Sequence, residues 1–376
     1  MRFCVRSAKF SRPEILCLHP LLAEGFLFMD HIDNSFFLCA CAQTAAGGIY
    51  RYHVSNDGVW QMKNFHRLEG SNYLCYSPDY RFLYATFNDS CGGGVAAFQI
   101  QKDYSLKALN RMYSMGKSNC HLTCSPDGKF LFCANYSSGN VAAFSLTETG
   151  MLSERVALIQ HHGSGPRKDR QECAHTHCTR ITPDGRYLTV VDLGVDGIYF
   201  YPLHPVTGIA NDPRICQTEP GDGPRHILFD DSGTLAYVIN ELGNSVSVYR
   251  YEDGSLTLLD NVTSLPENYQ KITKASAVRF SPDRRFVYAS NRGLEDNSIA
   301  CYKIDEQGML TLFDIVDSHG NSPRDINFLP DGKFLAASNE FSDNISLFRW
   351  DPSNGHLYYL ENCDLTGIPR PLCIEY

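Results

Sequence analysis

Three residues pair acid–base chemistry with irregular positions in an otherwise repetitive chain: His177, Glu241 and Arg292. An imidazole titrates near neutral pH and can take a proton from water. A carboxylate can orient that base or polarise the water. A guanidinium offers forked donors to a phosphate, a carboxylate or a developing oxyanion. Each residue breaks a column of the repeat. Five residues before each Ser-Pro-Asp-Gly-like turn stand Asn72, Cys120, His177, Arg225, Ser276 and Arg324, with Arg370 in a further copy. Just after the Asn or Asp that closes the following apolar run stand Asp89, Tyr136, Leu193, Glu241, Arg292 and Glu340. If both columns open on one surface, that surface is richer in catalytic residue types than a purely structural role requires.

A structural role competes for some of these positions. Pro-Arg recurs at 224–225, 323–324 and 369–370, as arginines serving neighbouring backbone carbonyls would. The recurrent Asn135, Asn240, Asn291 and Asn339 read as turn-formers.

The elements that must position these residues follow from the repeat itself. The turn motif starts at 77, 125, 182, 230, 281 and 329, roughly fifty residues apart. Each unit runs apolar segment, turn, apolar segment, Gly/Asn/Ser turn, alternating segment, polar loop and a fourth short segment. That is four strands of one antiparallel sheet. A lone four-stranded sheet cannot bury both faces, so the units must stack in a ring. The inner strand recurs at 71–77, 119–125, 176–182, 224–230, 275–281 and 323–329, and a seventh copy ends the chain at 368–376. Its missing partners lie at the other end, at 36–41 and 48–53. The expectation is an all-β, seven-bladed β-propeller of four-stranded antiparallel blades, closed by the C-terminal strand joining the N-terminal blade. Closure of this kind removes open sheet edges. Within an antiparallel blade, the start of strand one and the end of strand two share one face, so both columns line one channel mouth.

One spacing is longer than the rest because residues 163–177 carry an insertion, and inserted loops often carry function. It holds Arg167, Lys168 and Arg170, which could meet an anionic substrate, although a charged loop is also simply a soluble loop. His175 and His177 are two apart and on a strand would share a side. Cys173, His175 and His177 are metal-ligand types, but a His-x-His without a distant third ligand is a weak signature, and no metal is expected.

Composition sets outer limits. The 376 residues carry a net charge of −9, which argues against nonspecific nucleic-acid binding. No run approaches the roughly 18 apolar residues of a membrane span. The 15 cysteines are odd in number and scattered over apolar runs, as expected of a reducing cytoplasm. Residues 1–28 have no counterpart in the repeat and are expected to form a loose extension, or to precede a natural start at Met29, with a packed strap as the alternative. The propeller is then residues 29–376. Residues 1–28 show no clean signal-peptide pattern.

From about Phe36 to Tyr376 the chain resembles the seven-bladed lactonase family, which includes propeller-type 6-phosphogluconolactonases and carboxy-cis,cis-muconate cyclase. The resemblance rests on Gly165-Pro, Gln171-Glu, Ala174-His-Thr-His, Val191-Asp-Leu-Gly, Pro220-Gly-Asp-Gly-Pro-Arg-His, Val238-Ile-Asn-Glu-Leu, Ser290-Asn-Arg-Gly and Ser322-Pro-Arg-Asp. Cys173 and Cys178 depart from the family pattern. The resemblance implies catalytic roles for His177, Glu241, Arg225 and Arg292, with Arg279 as a rival to Arg292 in the same blade. The substrate-binding set is then His175, Arg324, Arg167 and Arg170. The activity implied is hydrolysis of a small anionic lactone, foremost 6-phospho-D-glucono-1,5-lactone, with no cofactor. Two alternatives stay open: a lactone-forming or lactone-opening enzyme of carboxylated muconates, and a noncatalytic scaffold. The sequence leaves the oligomeric state open.

Overall fold

The computed structural model describes residues 34–294 and 297–376. The expected extension 1–28 and the boundary at Met29 lie outside the described residues. Among the described residues thirty strands form seven antiparallel sheets, and no helix is long and apolar enough to cross a membrane. Blade 1 joins Ser35–Ala40, Gly48–Val54 and Trp60–Arg67 to the last strand, Pro371–Glu375. That strand pairs with the first, Phe37 opposite Glu375 and Leu38 opposite Ile374, so the chain ends close the ring as the repeat required. Blades 2 to 7 follow in order at residues 74–113, 119–160, 176–217, 224–263, 273–317 and 323–366.

The repeated turn has a clear physical cause. In Ser-Pro-Asp-Gly the first hydroxyl donates to the Asp two residues on, at 2.6 Å in both Ser77–Asp79 and Ser125–Asp127. The same hydroxyl accepts the backbone N–H five residues ahead, at Phe82 and Phe130. Thr182 and Ser281 repeat both bonds. The fourth turn residue has positive φ, as at Gly128 (68°) and Gly185 (67°), which explains the glycine.

Seven apolar clusters alternate with the seven sheets, each shared by two neighbouring blades. The cluster of Phe36, Leu38, Leu329, Phe334 and Ile374 joins blade 1 to blade 7 and so seals the closure hydrophobically.

Three details differ from the simple repeat. The inner strand of blade 2 shrinks to Leu74–Tyr76, because the Asn72 and Tyr73 amides bond to the Thr86 hydroxyl instead of the ladder. The outer strand of blade 4 splits into Gly208–Ile209 and Arg214–Gln217 around Pro213, which has no N–H to donate. The recurrent asparagines are buried at strand ends rather than placed in turns: Asn240 Nδ2 donates to Ser245 and Ser247, and Asn339 Nδ2 to Ser346, stapling strand two to strand three.

Candidate active site

The first column owes its geometry to β-bulges. The inner-strand register slips between Asn119 and His121, Thr176 and Cys178, Pro224 and His226, Ala275 and Val278, and Pro323 and Asp325. Each slip leaves the column residue out of the ladder: Cys120, His177, Arg225, Ser276 and Arg324. A bulge re-aims its side chain, and three of the five, Cys120, His177 and Arg324, line one mouth. A cavity of about 190 Å³ opens there, lined by His177, Glu241, Arg292, Arg324, Arg170 and Lys274, with Asn72, Cys120 and Tyr136 beside them.

Glu241 is the centre of the arrangement. It follows strand Leu235–Asn240 and is 1% exposed. Its Oε2 accepts Arg225 Nε at 3.1 Å and Arg292 Nη2 at 2.9 Å, and its Oε1 accepts Arg170 Nη2 at 2.6 Å. Arg292, Arg225 and Arg170 outweigh the burial penalty and hold this carboxyl well below its ordinary range, so it is ionised. Burial, then repulsion from Arg324 and Arg292, pushes Arg225 down to about 9 despite Glu241. The two directions agree physically: one anion serves several cations, so the carboxylate gains more than each guanidinium does. Both partners are charged at neutral pH.

Arg170 arrives from the inserted loop, and the loop is anchored. Gln171, fully buried, accepts the Arg167 amide and donates to Leu193 O and Asp196 Oδ1. Asp196 also receives the amides of Gly221 and Gly223, which ties Gln171 to the Pro220-Gly-Asp-Gly stretch. Gly165 is required for this seat, since a Cβ there would lie 2.5 Å from the Gln171 amide. Arg170 Nη2 also donates to Tyr136 Oη at 3.1 Å.

His177 is 2% exposed, and its buried Nδ1 has no partner among the described residues. Tyr136 and His226 meet its ring edge-to-face, at 5.5 and 5.3 Å. Burial, then Arg225, with smaller contributions from Arg324 and Arg292 opposed by Glu241, holds its pKa well below the ordinary imidazole value. The imidazole is therefore neutral, the form that can accept a proton.

The structure does not gather every residue named from sequence. Glu241 binds arginines and makes no hydrogen bond to His177, so it positions guanidiniums rather than orienting the base. Arg225 sits behind Glu241 and does not line the cavity, because its Nη1 is committed to Ser276 O at 2.6 Å and to the His226 ring. His175 does not line the cavity beside His177, and its ring stacks on Tyr136 at 4.4 Å. Arg167 is exposed beside Gly221 and Asp222, outside the lining. Arg279 bonds to Asp325 at 2.8 Å, which leaves Arg292 as its blade's arginine in the mouth. Cys173 and His177 do not converge on a common metal position.

Lys274 was not singled out from sequence. It stands opposite Arg292 in the ladder, two residues before the blade 6 column position, and nothing in its own stretch distinguishes it from a surface lysine. Burial, then Arg170, pushes its amine below the ordinary value. The Arg324 guanidinium lines the same cavity without a hydrogen bond or ion pair among the described residues. Arg170 Nη1 and Arg292 Nε are likewise buried without partners. A larger cleft of about 800 Å³ opens elsewhere, but its five acidic residues, Asp230, Asp231, Glu252, Asp305 and Glu306, outnumber Arg250 and Arg284 and disfavour an anion.

The chain belongs to the seven-bladed β-propeller lactonase family, whose pattern matches residues 36–376. A 6-phosphogluconolactonase of Bacillus subtilis is 34% identical over 335 residues, 88% of this chain and 94% of the relative. The periplasmic gluconolactonase of Pseudomonas aeruginosa has the same fold, with a TM-score of 0.85 at 27% identity over 91% of this chain and 98% of that one. A Lactobacillus plantarum protein is similar to the same degree, with a TM-score of 0.84 at 27% identity over 91% of this chain and 99% of that one. At the level of the family, the chemistry is hydrolysis of a lactone.

Proposed function

We propose that this chain hydrolyses 6-phospho-D-glucono-1,5-lactone to 6-phosphogluconate. The observation that carries the reading is the surplus of cationic donors in the mouth. Glu241 is fully engaged, yet among the described residues the half-buried Arg324 and Lys274 and the buried Arg170 Nη1 and Arg292 Nε have no acceptor. Cationic donors left unsatisfied in a cavity fit an anionic ligand. A phosphorylated lactone supplies the charge that a neutral sugar lactone lacks. The relative from Bacillus subtilis carries the same activity in its name.

Water attacks the lactone carbonyl while neutral His177 takes its proton, and the carbonyl oxygen becomes an oxyanion. Arg170 and Arg292, held by Glu241, face that charge. The tetrahedral intermediate then breaks the bond from the carbonyl carbon to the ring oxygen, and His177 returns the proton to that oxygen. The product is an open-chain carboxylic acid, which loses its remaining proton to solvent and leaves as the carboxylate. Arg324 and Lys274 hold the phosphate. The proposal extends to a reducing cytoplasm, supported by 13 described cysteines that are all free.

Arg324→Met tests the phosphate assignment. It is expected to raise KM for the phosphorylated lactone by about ten- to a hundredfold, the worth of a charged hydrogen bond, with little change in kcat. Inorganic phosphate should inhibit the wild type competitively and Arg324→Met more weakly. Equal losses on phosphorylated and unphosphorylated lactones would place the phosphate elsewhere.

A further inference from the structure

We propose that Glu172, Cys173 and His175 form a binding site for a thiophilic divalent cation of the zinc class, on the rim of the mouth and separate from the catalytic groups. His175 Nε2 lies 3.2 Å from Glu172 Oε1 and 3.9 Å from Cys173 Sγ, and Sγ lies 4.0 Å from the same Oε1. Tetrahedral zinc with bonds of about 2.0–2.3 Å separates such ligand atoms by about 3.4–3.6 Å, so only small side-chain adjustments are needed. All three ligand atoms lie within 4.8 Å of one another.

The second observation is the state of His175. Its Nδ1 lies 3.0 Å from the Tyr136 carbonyl oxygen, which can only accept. Nδ1 is therefore committed to that carbonyl, and Nε2 is the nitrogen turned toward Glu172 and Cys173. A backbone carbonyl on one nitrogen and a metal on the other is the usual support of a ligating imidazole. The ring is held further by its parallel stack on Tyr136, 4.4 Å away and tilted by 8°. Asp192 Oδ1 fixes the backbone by accepting the His175 amide at 2.7 Å.

The remaining two ligands are open to solvent: Glu172 is exposed and Cys173 is exposed, while His175 is buried. An ion can therefore enter from outside, and water completes its coordination. Zinc-class binding converts the Cys173 thiol to a thiolate and releases that proton to solvent. A thiolate, an imidazole and a carboxylate favour zinc or cobalt over magnesium or calcium, which take oxygen ligands. The competing account of the cluster is a direct contact between His175 Nε2 and Glu172 Oε1 at 3.2 Å with no metal.

Cobalt(II) titration of the full chain, stripped with chelator and kept reduced, distinguishes the two. The proposal predicts one equivalent bound with a thiolate-to-cobalt charge-transfer band, displaced by zinc. Cys173→Ser should abolish the band, and His175→Ala should weaken binding at least tenfold. Because His175 is buried, Glu172→Gln at the exposed ligand gives a second variant that spares the fold, and it too should weaken binding. Exposed Cys91 is the control, and Cys91→Ser should change nothing. Absence of the band in the wild type leaves only the direct Glu172–His175 contact and overturns the proposal. So does a band that survives Cys173→Ser or disappears in Cys91→Ser.

Discussion

Glu241→Gln is expected to cost about 3–5 kcal/mol of stability and nearly all activity, although the side chain keeps its shape. The amide cannot neutralise Arg170, Arg225 and Arg292, which meet on one carboxylate 1% exposed to solvent. Like charges then face one another with little water between them, and each guanidinium loses its fixed direction. The pH dependence has a definite sign. The folded-state pKa of Glu241 is depressed, so its contribution is present above the ordinary carboxyl range and is lost only as pH falls through the lower folded value. Denaturant unfolding of wild type and variant should therefore show a gap that stays constant from about pH 8 to 5 and closes only in stronger acid. An unchanged unfolding midpoint would mean that other groups hold the three arginines.

His177→Ala should lower kcat by about a hundredfold to ten-thousandfold, the usual worth of a general base, while the ring stays folded. The buried Nδ1 makes no bond whose loss would unfold the blade. His175→Ala should do much less, since that ring stacks on Tyr136 outside the cavity lining. The wild-type pH profile carries a matching signature. His177 accepts protons only when neutral, and its pKa lies below the ordinary value of about 6.5. The acid limb of kcat/KM should accordingly fall below pH 6.5. Small, equal losses from both substitutions, or an acid limb at the ordinary imidazole value, would remove His177 from the role of base.

The fold was legible because its signal is redundant. Each Ser-Pro-Asp-Gly turn repeats the same bonds, Ser77 to Asp79 and Ser125 to Asp127, and the missing strands at the two ends complement each other. The column argument placed His177, Glu241, Arg292 and Arg324 at one mouth because strand order and periodicity decide which end of a strand faces the channel. Direction beyond that was not legible. The bulges that take His177 and Arg324 out of the ladder come from one skipped residue, which leaves no mark in a hydrophobic pattern. Arg225 and Arg324 share a column, yet one is consumed by Glu241 and Ser276 O while the other has no side-chain hydrogen bond among the described residues. That difference depends on the neighbouring blade, fifty residues away. Lys274 escaped notice for the same reason: its burial comes from packing around the mouth rather than from its own segment.

The most direct measurement is hydrolysis of 6-phosphoglucono-1,5-lactone, generated in situ, by the purified protein, corrected for spontaneous opening and run beside the unphosphorylated lactone. The account predicts a protein-dependent rate on the phosphorylated lactone, with kcat/KM at least about tenfold above that for the neutral lactone, the worth of one charged hydrogen bond. It also predicts that this rate is lost in His177→Ala. A rate no faster than spontaneous opening, or a preference for the neutral lactone, would contradict it.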